Sequence, residues 1–172
     1  LQVKGTDSTA IASALLAHDP ASNDGSVVLA PPQVIAAVPG VGSQAFGRAL
    51  KTSAAKGSRE ALSDLMGVVV DGSWVLDGPA FTRLVNQEGG IRVDVDVTVM
   101  SGRVVVLQPG QQQLDGAHAL AYALYLGGGE QEQTRLARLQ AVIDGIVSAL
   151  PADVTTLVRS LGRGSEPSVD VG

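Results

Sequence analysis

The chain of 172 residues contains no cysteine, two histidines, one tryptophan, two tyrosines and two phenylalanines. Without cysteine there can be no disulfide, no thiol nucleophile and no thiolate metal ligand, whichever compartment the protein occupies. Basic residues are also scarce, 12 against 17 acidic, so the net charge is -5. That balance excludes a nucleic-acid partner held by phosphate contacts, and no basic run is long enough to form a membrane-surface patch. Long apolar runs are missing as well. The longest, Ala10 to Ala17, is interrupted by Ser13 and is far too short to cross a bilayer. No signal peptide is visible, and a chain that begins at Leu1 reads as an excised or processed piece of a longer protein.

Several catalytic signatures are absent too. No Gly-x-Ser-x-Gly elbow occurs, and the Gly127-Gly128-Gly129 run is not followed by the Lys-Ser/Thr of a phosphate-binding loop. His18 and His118 have no Ser/Asp or metal-ligand spacing around them, and His118, on an apolar helix, reads as a core histidine. Tyr122 and Tyr125 read most simply as packing residues. There is no repeat and no internal linker, so residues 1–161 are expected to form one domain, with a flexible tail over 162–172.

The most informative stretch is Leu114 to Asp144. Asp115 is placed to cap a helix by accepting from its first free amides, and Ala117 to Leu126 is composed of helix formers and apolar residues. The three glycines then supply a stop. From Thr134 the apolar positions 136, 139, 142, 143, 146, 147 and 150 follow the spacing of a second, one-sided helix, with Arg135 and Arg138 sharing a face. Pro151 ends it, and Ala152 to Leu161 reads as a short last helix. Upstream, Ala10 to His18 and Ser26 to Ala30 are expected to form a hairpin around the Asp19 to Gly25 turn. Gly40 to Gly57 reads as a glycine- and serine-rich connection. It is followed by a helix over Ser58 to Met66, capped by Ser58 and closed by Gly67. Val68 to Leu76 reads as a strand anchored by Trp74, and Asp77-Gly78-Pro79 opens another helix. Ile91 to Val99 alternates as a strand, Arg103 to Leu107 forms another, and Gln108 to Gln113 reads as a polar loop. Strands interleaved with helices in this order imply an α/β fold.

The Leu-Asp-Gly-x-x-Ala-Leu-Ala-Tyr run at 114–122, the Arg135-x-x-Arg138 pair and the passage DGPAFTRLVNQEGGIRVDVDV at 77–97 together resemble the LytR-CpsA-Psr family. The resemblance covers about Ala10 to Leu161. It implies a three-layer α-β-α sandwich with a central mixed sheet, in an extracytoplasmic cell-envelope protein of the Gram-positive type, anchored to the membrane when full length. Such domains transfer glycan polymers from a polyprenyl-pyrophosphate carrier to the cell wall, using Mg²⁺ and arginines that grip the pyrophosphate.

Carried onto this chain, the resemblance puts Leu124 and Leu126 where the family has two arginines, and Pro32 and Gln33 where it has an arginine and an aspartate. Proline carries no charge and no donor, so it cannot replace a guanidinium. Arg135 and Arg138 match family arginines, with Glu132 in place of an aspartate, and are the candidate catalytic pair. The other reading makes both the solvated face of an amphipathic helix. Asp7, Asp19 and Asp24 are the candidate metal ligands, for Mg²⁺ if the domain is an enzyme, and are otherwise turn or surface carboxylates. Leu124, Leu126 and Tyr122 are the candidate lipid-binding residues, since leucines in place of arginines make a pocket mouth more apolar. The expected function is thus a catalytically degenerate envelope domain that binds a polyprenyl-type lipid or a partner in wall-polymer assembly. An active phosphotransferase for a polyprenyl-pyrophosphate-linked glycopolymer is the alternative.

Overall fold

A computed structural model describes residues 1–19, 24–149 and 165–169. The expected short helix over 152–161 and the middle of the 19–25 turn lie outside them. The described residues divide into two compact units, one holding those of 1–78 with 165–169 and the other those of 79–149.

The first unit is built on a five-stranded sheet. Its strands are β1 (Gln2–Lys4), β2 (Ala10–Asp19), β3 (Asp24–Leu29), β6 (Gly72–Asp77) and β11 (Ser165–Val169), in the order β11-β6-β1-β2-β3. Only β1 and β6 run parallel, so the sheet is mixed, as expected. The alanine-rich run Ala10 to His18 is a strand, not a helix. It pairs antiparallel with β3 from Ala14↔Leu29 to Asp19↔Asp24. Residues 1–7 contain β1, a central strand of the sheet, and β11 at its edge falls within the 162–172 segment.

A second hairpin, β4 (Ile35–Val38) with β5 (Gly42–Ala45), leads directly into α1 (Phe46–Met66). The Gly40–Gly57 segment is therefore mostly ordered structure. Phe46, Ala49, Ala61 and Leu62 bury one side of α1 against Ala30, Ala36 and Val38. Ser58 is 1% exposed inside the helix and does not cap it. The helix is interrupted at Ser53 and Ala54, the latter at φ +53° and ψ -168°, and Gly67 closes it in the left-handed conformation. The strand expected from Val68 begins only at Gly72, and Val75 and Leu76 carry its burial more than Trp74 does.

The second unit opens with α2 (Gly78–Gln87), whose Phe81, Leu84 and Val85 are buried. Gly89 and Gly90 turn the chain at positive φ into β7 (Ile91–Val95), which alternates buried and exposed residues along its length. A short hairpin of β8 (Val99–Ser101) and β9 (Val104–Leu107) follows. The polar Gln108 to Gln113 segment is not a loop. It contributes β10 (Gly110–Leu114), which pairs antiparallel with β7 from Gly110↔Val95 to Leu114↔Ile91. Two packed helices complete the unit, α3 (Gly116–Leu124) and α4 (Glu132–Ala149). No described helix is long and apolar enough to cross a membrane.

Candidate functional site

The α3–α4 pair forms where its sequence asks for it. Asp115 caps α3 by accepting from the His118 amide at 2.9 Å, which holds its carboxyl below the usual carboxylate range. His118 is not a core residue: its ring is half-exposed and its Nδ1 lies 2.9 Å from the Asp115 carboxylate. Helix α3 stops at Leu124, before the glycines, so Gly127 to Gly129 form the α3–α4 connection, with Gly129 at φ +84°.

The face of α4 directed inward carries Leu139, Val142, Ile143 and Ile146, and with them both arginines. Arg135 is 8% exposed and Arg138 2%, so the solvated-face reading is overturned. A buried guanidinium must be paired to be tolerated. Arg135 bonds through Nε to Glu132 Oε1 at 2.9 Å, one turn back on the same helix, and its Nη2 reaches the same oxygen.

Arg138 is held more completely. Its Nε and Nη2 donate to Asp96 Oδ1 and Oδ2 at 2.8 and 2.9 Å, a two-pronged pair across 42 residues of sequence. Its Nη1 and Nη2 donate to Glu130 Oε2 and Oε1 at 2.7 and 2.6 Å, and Nη1 also reaches the Tyr125 carbonyl at 3.2 Å. These bonds account for all five N–H groups of the guanidinium. The Tyr125 ring lies 5.4 Å below its central carbon, a cation–π contact. Tyr122, 2% exposed, donates from its hydroxyl to Asp96 Oδ1 at 2.9 Å and accepts from the Asp96 amide at 3.3 Å.

Protonation follows from these bonds. Hydrogen bonding from Arg138 lowers the Asp96 carboxyl, and hydrogen bonding from Arg138 and then from the Gly127 amide lowers Glu130 to about 2. The Arg138 guanidinium is raised by its bonds to Glu130 and Asp96, and burial raises the Tyr122 hydroxyl. At neutral pH one cation thus faces two anions.

The other expected site residues are dispersed. Leu124 is half-buried at the end of α3, Leu126 is exposed, and Tyr122 is buried beneath Asp96 instead of lining an open mouth. Asp7 is an exposed turn carboxylate. Its Oδ1 accepts from the Thr9 hydroxyl and amide at 2.7 and 3.1 Å, which lowers its pKa. Asp19 and Asp24 are cross-strand partners at the far end of β2. Nine strand steps at about 3.3 Å separate Ala10 from Asp19, so Asp7 lies near the opposite end of β2 from that pair. Among the described residues no three His, Asp or Glu side chains are grouped to hold a metal. Pro32 seats the start of α1: its carbonyl accepts from the Gly47 amide at 2.8 Å.

Asp96 and Glu130 escaped the sequence reading, although one signal was present. Arg138 stands four residues before Val142 and eight before Ile146, on the apolar face, where an arginine has to find buried partners.

An α/β fold with a mixed sheet and an anion-paired arginine helix defines the class, and comparison with known proteins gives the family. The chain belongs to the LytR-CpsA-Psr family, whose model matches residues 15–160. Among solved structures it is similar to TagV of B. subtilis, at 16% identity and a TM-score of 0.78, over 92% of this chain and 66% of that one. It is also similar to a protein described as a transcriptional regulator of Enterococcus faecalis, at 18% identity and a TM-score of 0.82, over 96% and 63%. A third is TagT bound to LI-WTA, at 20% identity and a TM-score of 0.78, over 99% and 68%. The chain thus spans just under two thirds of the first two. No curated protein sequence matches it.

Proposed function

We propose that this domain serves cell-wall polymer assembly at the envelope as a catalytically degenerate family member, binding a polyprenyl-type lipid or an assembly partner without transferring the polymer. The observation that carries this reading is the fate of the arginines. Leucine stands at 124 and 126 and proline at 32, while the guanidinium of Arg138 is consumed by Asp96, Glu130 and the Tyr125 carbonyl. A phosphotransferase has to stabilise the negative charge of a departing pyrophosphate, which is mostly electrostatic work done by preorganised cations. With Arg138 closed between two carboxylates and Arg135 bonded to Glu132, the site has little left for that task. The leucines favour an apolar ligand at the end of α3, where Leu126 is exposed. The complex of TagT with LI-WTA supports a wall glycopolymer as the other class of partner.

The test is a thermal-shift titration with a short polyprenyl pyrophosphate and with the corresponding isoprenoid alcohol, each with and without Mg²⁺. Ligand at a hundred times its dissociation constant stabilises by about 2.7 kcal/mol. The reading expects the alcohol to reproduce the shift without metal. A shift that requires both pyrophosphate and Mg²⁺ would contradict it and support the active phosphotransferase.

A further inference from the structure

We infer that the β8–β9 hairpin is a membrane-contact element whose tip enters the headgroup layer of an anionic lipid surface. Its base is fixed, because Val99 and Leu107 are cross-strand partners and both are buried. Beyond that pair, every residue from Met100 to Val105 is exposed. Ser101 and Val104 close a two-residue turn, Gly102-Arg103, with Gly102 at φ +62°. Three of the exposed side chains are apolar: Met100 at 37%, Val104 at 66% and Val105 at 45%. Apolar side chains gathered on one projecting element mark a contact surface more than scattered ones do.

Two observations identify what covers them. Met100 and Val105 are cross-strand partners and share one face of the ribbon, whereas Val104, paired with Ser101, lies on the other. A protein partner or a second copy covers one face, while a lipid layer surrounds both. The charge is complementary as well. Between Asp96 and Asp115 the sole charged residue is Arg103, at the turn, in a chain whose net charge is -5. A guanidinium there pairs with lipid phosphates while the side chains behind it enter the interface. Val104 lies three strand steps from Leu107, about 10 Å, which matches the roughly 5–10 Å depth of the headgroup boundary. Fields decay over about 8 Å at physiological ionic strength, so the charge of the tip governs the contact more than that of the whole chain. Depth has a limit. Among the described strands β8 and β9 pair only with each other, and hydrocarbon would leave the polar groups of their outer edges unsatisfied. The contact is therefore shallow and reversible, and it stands or falls apart from the apolar-ligand reading.

Co-sedimentation with phosphatidylglycerol vesicles, free of any polyprenyl lipid, tests the inference. Wild type is expected to bind them, and to bind phosphatidylcholine vesicles about fivefold more weakly. The Val104→Ser, Val105→Ser double variant is expected to lose about tenfold in affinity and Arg103→Gln about fivefold. Val69→Ser, which removes a valine side chain exposed at 86% outside the hairpin, is expected to change nothing. No binding by wild type, or a loss in Val69→Ser as large as in the double variant, overturns the contact. Sedimentation velocity without vesicles covers the other occupant: a wild-type dimer that the double variant breaks overturns the inference in favour of a second copy. If the double variant fails to fold, the wild-type protein still decides. Phosphatidylglycerol-containing bicelles carrying a paramagnetic headgroup label are expected to broaden the amide resonances of Met100 to Val105 before the rest. Hairpin resonances that stay sharp while others broaden overturn it.

Discussion

An arginine on the inward face of a helix is stable only with its counter-charges in place, and Arg138 has two carboxylates, a carbonyl and an aromatic ring. Removing one partner of a buried ion pair costs about 3–5 kcal/mol when both ions are buried. Here Asp96 and Glu130 remain partly open to water, which takes up part of their charge. Arg138→Met is therefore expected to destabilise by about 2 kcal/mol, read as a lower midpoint in urea. The same bonds set an acid limit. Both carboxyls have folded-state values below their unfolded ones, so their contribution is complete above the unfolded carboxylate range. It is lost as pH falls through the folded values, towards about 2 for Glu130. Thermal unfolding at pH 7, 4 and 2 should show falling stability, and Arg138→Met should flatten that dependence; an unchanged pH profile in the variant would refute the pairing. The sequence left Arg138 between a site residue and a solvated face, and its partner Asp96, 42 residues away, is brought to it only by the fold.

At the scale of elements, two close approaches can be tested. Gly116 opens α3, its amide donating to the Asn86 side chain at 2.8 Å. A Cβ there would lie 2.5 Å from the Thr82 Cα and closer still to its carbonyl oxygen, both backbone atoms that cannot swing aside. Gly116→Ala is expected to cost 3 kcal/mol or about that, at the upper end of overpacking effects, measured by chemical denaturation. The interruption of α1 runs the other way. Ala54 sits at φ +53°, a conformation that glycine adopts without a steric penalty, so Ala54→Gly should stabilise the protein by about 1 kcal/mol. A lower midpoint for that variant would argue for an uninterrupted helix. Elements with strong periodicity or a capping residue were legible: the hairpin β2–β3, α2, β7 and the cap of α3. β10 was not, because its glutamines show no apolar alternation and its partner is a strand 15 residues upstream that supplies the ladder. Of α1, the part from Ser58 to Met66 was legible, while its first part was hidden by Gly47, Ser53 and Gly57. Its helical state comes from burial of Phe46, Ala49 and Ala61 more than from local propensity.

For the whole molecule, family membership rested on short motifs, and the model match over residues 15–160 bears it out. The site was only partly legible, because a motif reports which residue stands at a position and not what it is bonded to. Leu124, Leu126 and Pro32 can be seen as substitutions in the chain itself. That Arg138 is retained but closed between carboxylates emerges only in three dimensions. Both facts support the proposed loss of polymer transfer, and a turnover assay tests that proposal most directly. The domain is incubated with Mg²⁺, a polyprenyl-pyrophosphate-linked sugar and an acceptor glycan, and release of the polyprenyl carrier is followed. The account predicts release at the rate of the enzyme-free control. Mg²⁺-dependent release that Arg135→Ala abolishes would contradict it.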